Sequence, residues 1–233
     1  MPKRATVTYK PIDEISDLFN DLPPEQKDYL RQNCTIRHLK KNEFVHKEGE
    51  APAYLFCLLK GILKITKVGV GGRAQIVRMI KPVNYTGYRA IFAEDNYITS
   101  AMAVEPSDVY FIEVEAFRNL VFHCPQLSYY FLKQLALDLG EADLYVVNLT
   151  QKHIRGRLAE ALCRLIDYYG YEHDNVTLGV YLSREDLANL SNMTVSNAIR
   201  ILSAFAKNKL ITIDGRIIKV INEEGLRHIS RFG

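Results

Sequence analysis

The sequence predicts an α+β chain in three successive parts: an antiparallel roll of short strands, one long helix, and a small helical module ending in a hairpin. Three observations carry this. Between Thr35 and Val114, short apolar or alternating runs are separated by turns, with no helical pattern between them. From Pro125 to Lys152, apolar residues keep a three-and-four spacing without interruption. From Leu182 onward, two short amphipathic helices with clear start signals precede two strand-like runs around Asp214-Gly215. The expected boundaries are 1–124, 125–152 and 153–233.

Residues 12 to 33 read as short helices, with Asp13 and Ser16 as caps and Pro23-Pro24-Glu25 starting a helix. Polar turns at Lys41-Asn42 and Glu48-Gly49-Glu50 then divide strand-like runs. Those runs are Tyr54 to Leu59, Ile62 to Val68, Gln75 to Ile80, Ile98 to Val104 and Val109 to Val114. Strands this short, at this spacing, close into an antiparallel barrel or jelly-roll-like β-roll. Gly69 to Ala74 matches the dinucleotide fingerprint G-x-G-x-x-A, but a strand-like run follows where a helix is required, so a glycine-rich hairpin is expected. Glu115 to Phe122 reads as a short helix stopped before Pro125.

The long helix carries one seam through Leu132, Leu135, Leu139, Ala142, Val146 and Leu149. A second stripe runs through Tyr130, Leu137, Leu144 and Val147. Two stripes suit a helix that packs on its own domain and on an identical copy. The alternative is a core helix buried on two sides within one subunit. At 1.5 Å per residue the helix spans roughly 40 Å. The stretch His153-Ile154-Arg155-Gly156-Arg157, which holds a glycine, then offers a bend or joint, and Leu158 to Tyr169 continues as an amphipathic helix, with a polar loop from Tyr171 to Gly179.

Leu182 to Leu210 holds the most informative pattern. Ser183 with Asp186 three residues later is a capping box, and Leu187 and Leu190 give that helix its apolar face. Ser191-Asn192-Met193 makes a tight turn, and Thr194 caps a second helix that buries Ala198, Ile201, Leu202 and Phe205. Ser196, Ile199, Arg200 and Ser203 are left on the opposite face, beside Val195 and Asn197. A major groove admits one α-helix, whose N-terminal residues reach base edges. Arg200 suits guanine, Thr194, Ser196 and Asn197 suit bases or phosphate, Val195 and Ile199 suit a thymine methyl, and Arg184 suits a phosphate. The competing reading is an ordinary helical hairpin with a solvated face; the β-hairpin that follows favours a winged helix-turn-helix that binds DNA.

Composition excludes more than it assigns. The net charge is +3, divided as +1 before His153 and +2 after it, so bulk charge does not argue for nucleic acid. No run approaches the roughly 18 apolar residues of a membrane span, and Lys3 and Arg4 lead into polar residues instead of a signal sequence. The cytoplasm is the expected location. Cys34, Cys57, Cys124 and Cys163 show no C-x-x-C spacing and are expected to be reduced and buried. The four N-x-T triplets are chance matches in such a chain. No nucleophile–base pair, metal-ligand spacing or phosphate loop points to an enzyme.

In this order of parts, the chain resembles the Crp/Fnr superfamily of bacterial transcription regulators over about residues 15 to 225. LSREDLANLSNMTVSNAIRIL resembles that family's helix-turn-helix, and LKKNEFVHKEGEAPAYLFCLLKGILKI the opening of its cyclic-nucleotide-binding-like roll. The resemblance implies a homodimer reading double-stranded DNA at a two-fold symmetric site, half-sites about one helical turn apart. It also implies RNA polymerase and a small-molecule effector as further partners. Arg200 falls at the family's base-reading arginine and Val195 matches one branch, whereas Ser196 replaces a frequent glutamate. The implied effector pocket comprises Gly87, Tyr88, Arg89, Ile98, Thr99 and Ser100. Cyclic-nucleotide binders carry a glutamate after the glycine and a later Arg-Ser or Arg-Thr pair. Tyr88 and the arginine-free Ile98-Thr99-Ser100 depart from that, so a cyclic phosphate loses its main charge partner unless Arg89 substitutes. Cyclic AMP is therefore not the expected effector.

The iron–sulfur branch has an N-terminal cysteine cluster, and this chain has no cysteine before Cys34. Haem-sensing relatives exist, and His38, His46, Cys57 and His123 are candidate axial ligands that no spacing separates. The effector, and whether one exists, stays open. The rival to a DNA reader is a ligand-binding signalling protein whose winged helix contacts a protein partner.

Overall fold

The computed structural model describes residues 11–233; Lys3 and Arg4 lie outside the described residues. The chain forms two compact units, one of residues up to 65 with 79–137, the other of 66–78 with 138–233. The division falls inside the long helix, after Leu137.

The first unit opens with α1 (Ile12–Ile15), a 3-10 turn over Asp17–Phe19 and α2 (Pro24–Gln32). Asp13 and Ser16 do not cap these helices. Asp13 is buried and accepts both Nε (2.9 Å) and Nη2 (2.7 Å) of Arg31, whose guanidinium holds its carboxyl below the usual range. Ser16 accepts a 2.5 Å bond from the Tyr85 hydroxyl. Strands β1 (Cys34–Leu39), β2 (Phe44–His46), β3 (Tyr54–Lys60), β4 (Leu63–Val68), β5 (Ala74–Ile80) and β6 (Asn84–Thr86) follow. A short helix α3 (Tyr88–Ala93) precedes β7 (Ser100–Ala103) and β8 (Ser107–Glu113). The strands form two four-stranded sheets, in the orders β1-β8-β3-β6 and β2-β7-β4-β5. The turn between β4 and β5 is the expected glycine hairpin, closed by Gly69 N–H on Arg73 O (2.9 Å).

β3 is apolar without alternation because both of its faces are covered. Leu55 and Cys57 join Phe19, Ile112, Phe117 and Phe131 in one core cluster, while Phe56 and Leu58 join Leu63, Tyr97 and Phe111 in another. Gly61 has φ 91°, and a Cβ there would lie 2.3 Å from Ser107 Oγ, so no other residue fits this turn. After α4 (Val114–His123), Cys124 is extended and Pro125 begins the long helix α5 (Pro125–Gln151). The four cysteines are free, and burial pushes the Cys57 thiol up to about 12.

In the second unit, α6 (Ile154–Tyr169) leads to α7 (Arg184–Leu190), α8 (Val195–Lys207), β9 (Ile211–Asp214), β10 (Ile217–Val220) and α9 (Glu223–Phe232). The break after α5 lies at Lys152-His153, where His153 is extended, and Gly156 sits in the first turn of α6. Gly156 is small for another reason: a Cβ would stand 2.2 Å from the carbonyl oxygen of Gly233. The polar loop before the module contributes backbone pairing of its own, Leu178 N–H to Ile218 O (2.9 Å) and Val220 N–H to Val176 O (2.8 Å). Asp174 accepts the Thr177 hydroxyl (2.6 Å) and the amides of Thr177 (2.8 Å) and Val176 (3.1 Å), which hold its carboxylate well below the usual range.

Candidate DNA-binding site

The module's two helices begin on their expected caps. Ser183 Oγ accepts from Asp186 N–H (3.0 Å) and the Asp186 carboxylate accepts from Ser183 N–H (3.2 Å), a reciprocal capping box. Thr194 Oγ1 accepts from Asn197 N–H (3.3 Å) at the start of α8. Ala198, Ile201, Leu202 and Phe205 are buried, so the opposite face of α8 must point out. Thr194, Val195, Ser196, Ile199 and Arg200 are exposed there, and Asn197 is half-buried. Arg200 Nη2 donates to Asn197 Oδ1 (3.1 Å), which orders the guanidinium along this face without burying it. That surface offers a planar five-donor group, two hydroxyls, an amide and two β-branched apolar tips, a set suited to base edges.

Arg184 makes a contact within the module. Its Nη2 donates to the carbonyl of Gly215 (2.7 Å) at the tip of the β9–β10 hairpin, and Nη1 is buried with no protein acceptor. It therefore ties the hairpin to α7. Gly215 takes φ 54° between the paired residues Asp214 and Ile217, so the Asp-Gly turn forms as its residues suggest.

The joint below the module is held by residues that no spacing revealed. Glu160 on α6 accepts from Lys152 Nζ, Asn148 Nδ2 (3.3 Å) and Ser230 Oγ (2.7 Å), tying α5, α6 and α9 together. Burial raises its pKa, but the Lys152 and Ser230 bonds outweigh that and hold the carboxyl below its usual value. Arg157 Nη1 donates to Leu149 O (3.1 Å), capping the end of α5. A salt bridge eight residues apart across a break has no periodic signature in sequence.

On α5, Leu132, Leu139 and Val146 are 64%, 65% and 59% exposed, and Ala142 is also exposed. Leu135 and Tyr130 instead pack against the core of the first unit beside Leu127 and Phe131, and Leu149 is half-buried. The expected division into one inward and one outward stripe is thus replaced by a division along the length. The first turns serve the core; from Leu137 to Val147 the apolar residues of both stripes, including Leu144 and Val147, are exposed. The reading of α5 as a core helix covered on two sides within one chain fails, since only Leu127 and Phe131 are fully buried.

The six residues of the implied effector pocket are mostly engaged by their own unit. Gly87 takes φ 97° before α3, and Tyr88 is buried with its ring 5.4 Å from that of Phe131. Arg89 Nη2 donates to Asn96 O (3.2 Å) and pairs with Asp95 (3.5 Å). Ser100 Oγ accepts from Glu48 N–H (2.9 Å), Thr99 lies beside His46, and Ile98 is exposed. His38 pairs with Asp108 (2.7 Å), and His123 bonds Asn119 O (2.8 Å). His46 is buried with its ring 3.9 Å from Tyr97 and 5.5 Å from Phe56. Among the described residues, no group of three or more His, Cys, Asp and Glu is placed to hold a metal ion, and no helix is long and apolar enough to cross a membrane.

Comparison with known proteins agrees with this geometry. Residues 36–124 match the cyclic nucleotide-binding domain, and residues 156–229 match the Crp-like helix-turn-helix domain. The Anaerobic regulatory protein of Bacillus subtilis is 25% identical over 193 residues, 81% of each chain. The CRP-like cAMP-activated global transcriptional regulator of Mycobacterium tuberculosis is 22% identical over 94% of this chain and all of its own. FixK2 from Bradyrhizobium japonicum superposes with a TM-score of 0.76 at 19% identity, covering 84% of this chain and 96% of that one. A Crp/Fnr-family regulator from Eubacterium rectale reaches the same TM-score at 18% identity, over 92% and 97% of the two chains. With a cyclic nucleotide-binding-type roll, a long helix and a Crp-like reader in this order, the chain belongs to the Crp/Fnr family of DNA-binding transcriptional regulators.

Proposed function

We propose that two copies pair along α5 and present their α8 helices to one two-fold symmetric DNA site. The observation that carries this is the division of α8: four apolar residues buried, and Val195, Ser196, Ile199 and Arg200 facing out from a capped, rigid helix. In this reading Arg200 donates two bonds to a guanine, and Val195 and Ile199 meet thymine methyls. Thr194, Ser196 and Asn197 bond bases or phosphates, and Arg184 sets where the wing meets the backbone. The seam is Leu132, Leu139 and Val146 with Ala142, while Leu135 and Leu149 flank it.

The roll does not take cyclic AMP in this scheme. By the resemblance, Tyr88 stands where cyclic-nucleotide binders carry an acidic residue, and Arg89 pairs with Asp95 and with the carbonyl of Asn96. A bound phosphate would have to break that pairing before gaining its own.

The test is a titration of the full chain against duplex DNA enriched from a random library, at two salt concentrations. Wild type should lose affinity steeply with salt, as phosphate neutralisation requires. Arg200→Ala should cost about 1–3 kcal/mol and relax preference at one base position. A loss uniform over all sequences would make Arg200 a phosphate contact, and salt-insensitive or absent binding would favour the protein-partner alternative.

A further inference from the structure

The end of α7 is completed from outside the helix-turn-helix. A helix leaves its last four carbonyls without intrahelical partners, and α7 has no basic residue in its last turn to serve them. Leu187 O accepts from Ser191 Oγ (2.8 Å), and Ala188 O accepts from Met193 N–H (3.0 Å). The other two are met by side chains distant in sequence. Gln75 Nε2 donates to Asn189 O and to the Tyr145 hydroxyl, and that hydroxyl donates to Leu190 O (3.3 Å). One step further, Arg73 Nη2 donates to Oδ1 of Asn192 (2.6 Å), the residue at φ 49° that makes the turn into α8.

We infer that Tyr145, with Gln75 and Arg73, is a positioning residue for the DNA reader. It supplies the C-terminal cap of α7 and so links the orientation of the turn, and of α8 behind it, to the β4–β5 hairpin and the long helix. The geometry suits this role. Tyr145 stands on α5 one residue before the seam residue Val146, so a rotation of the helix moves both together. Gln75 and Arg73 stand on a hairpin covalently continuous with the roll. The Tyr145 hydroxyl accepts one bond and donates the next, so neither can be replaced by a group that does only one. Burial raises its pKa by more than the nearby Arg164 cation and the Gln75 bond lower it, so the phenol stays protonated and able to donate.

Hydrogen exchange on the full chain tests this without reference to DNA, and a binding titration on library-selected duplex adds the functional arm that rests on the reading above. Tyr145→Phe keeps the ring and removes only the hydroxyl; Gln75→Ala and Arg73→Ala remove the other donors. Each should speed amide exchange across 189–195 by roughly 2- to 10-fold, the range expected for one lost hydrogen bond. Tyr145→Phe combined with Gln75→Ala should be little worse than either alone, because the two act as one unit. Exchange that rises only in the substituted element, or effects that add, would overturn the inference. If exchange responds as expected but wild type binds no duplex, the cap stands and the DNA reading falls.

Discussion

His46 lies flat against Tyr97 in the roll with its Nδ1 buried and without a protein partner. Burial lowers its pKa from 6.5 to about 4, against the weaker opposing pull of Glu50 and the Thr99 backbone. The unfolded chain therefore binds the proton first as pH falls, so stability is full above pH 6.5 and is lost between there and about 4. The loss should approach about 3 kcal/mol from this residue alone. Denaturant titrations from pH 7 down to 4 should show that slope, and His46→Phe should flatten it; an equal slope in both would place the titrating group elsewhere. Individual residues were legible unevenly. Ser183, Asp186 and Thr194 announce their caps because capping is local, needing partners only three residues away. Asp13 and Ser16 carry the same chemistry, yet tertiary partners claimed them: Arg31 eighteen residues on, Tyr85 sixty-nine.

At the scale of elements, α5 is a core helix for its first turns, and beyond Leu137 its apolar residues Leu139, Leu144, Val146 and Val147 are exposed while Tyr145 and Asn148 bond within the second unit. Periodicity gave the two stripes but not where along the helix each would be covered, since coverage depends on packing that the repeat does not encode. α9 was missed although Asn222 caps it and its buried Leu226 and Ser230 face away from a charged side, a pattern that was there to be read. The short strands β2 and β6 escaped because three residues are too few for an alternation to repeat. Glycine signals a bend and close packing alike, and here Gly156 serves packing while the break falls at His153. Replacing Leu139 by Asp puts a carboxylate on the seam of both copies. It should weaken self-association by about 3 kcal/mol or more, from lost apolar burial alone. Sedimentation equilibrium should show monomer, while the near-UV spectrum of the second unit stays unchanged. Persistence of the dimer would move its interface off Leu139.

At the scale of the whole molecule, the order roll, helix, reader was written in the change of period from two to three-and-a-half and back to capped short helices. The effector was not, because the pocket positions are defined by chemistry the chain has replaced. A paired reader has a geometric signature: half-sites must sit on one face of the duplex. Inserting about five base pairs between selected half-sites should abolish tight binding, and about ten should restore much of it. Indifference to spacing would mean the readers act independently. Finally, no residue of α5 beyond Phe131 is fully covered within one chain. In the proposed dimer, covering these residues depends on pairing, and pairing is governed by how many molecules are present. Well below the dissociation constant, halving the amount of protein leaves about a quarter of the pairs, so expression level is itself an input to the regulator's output.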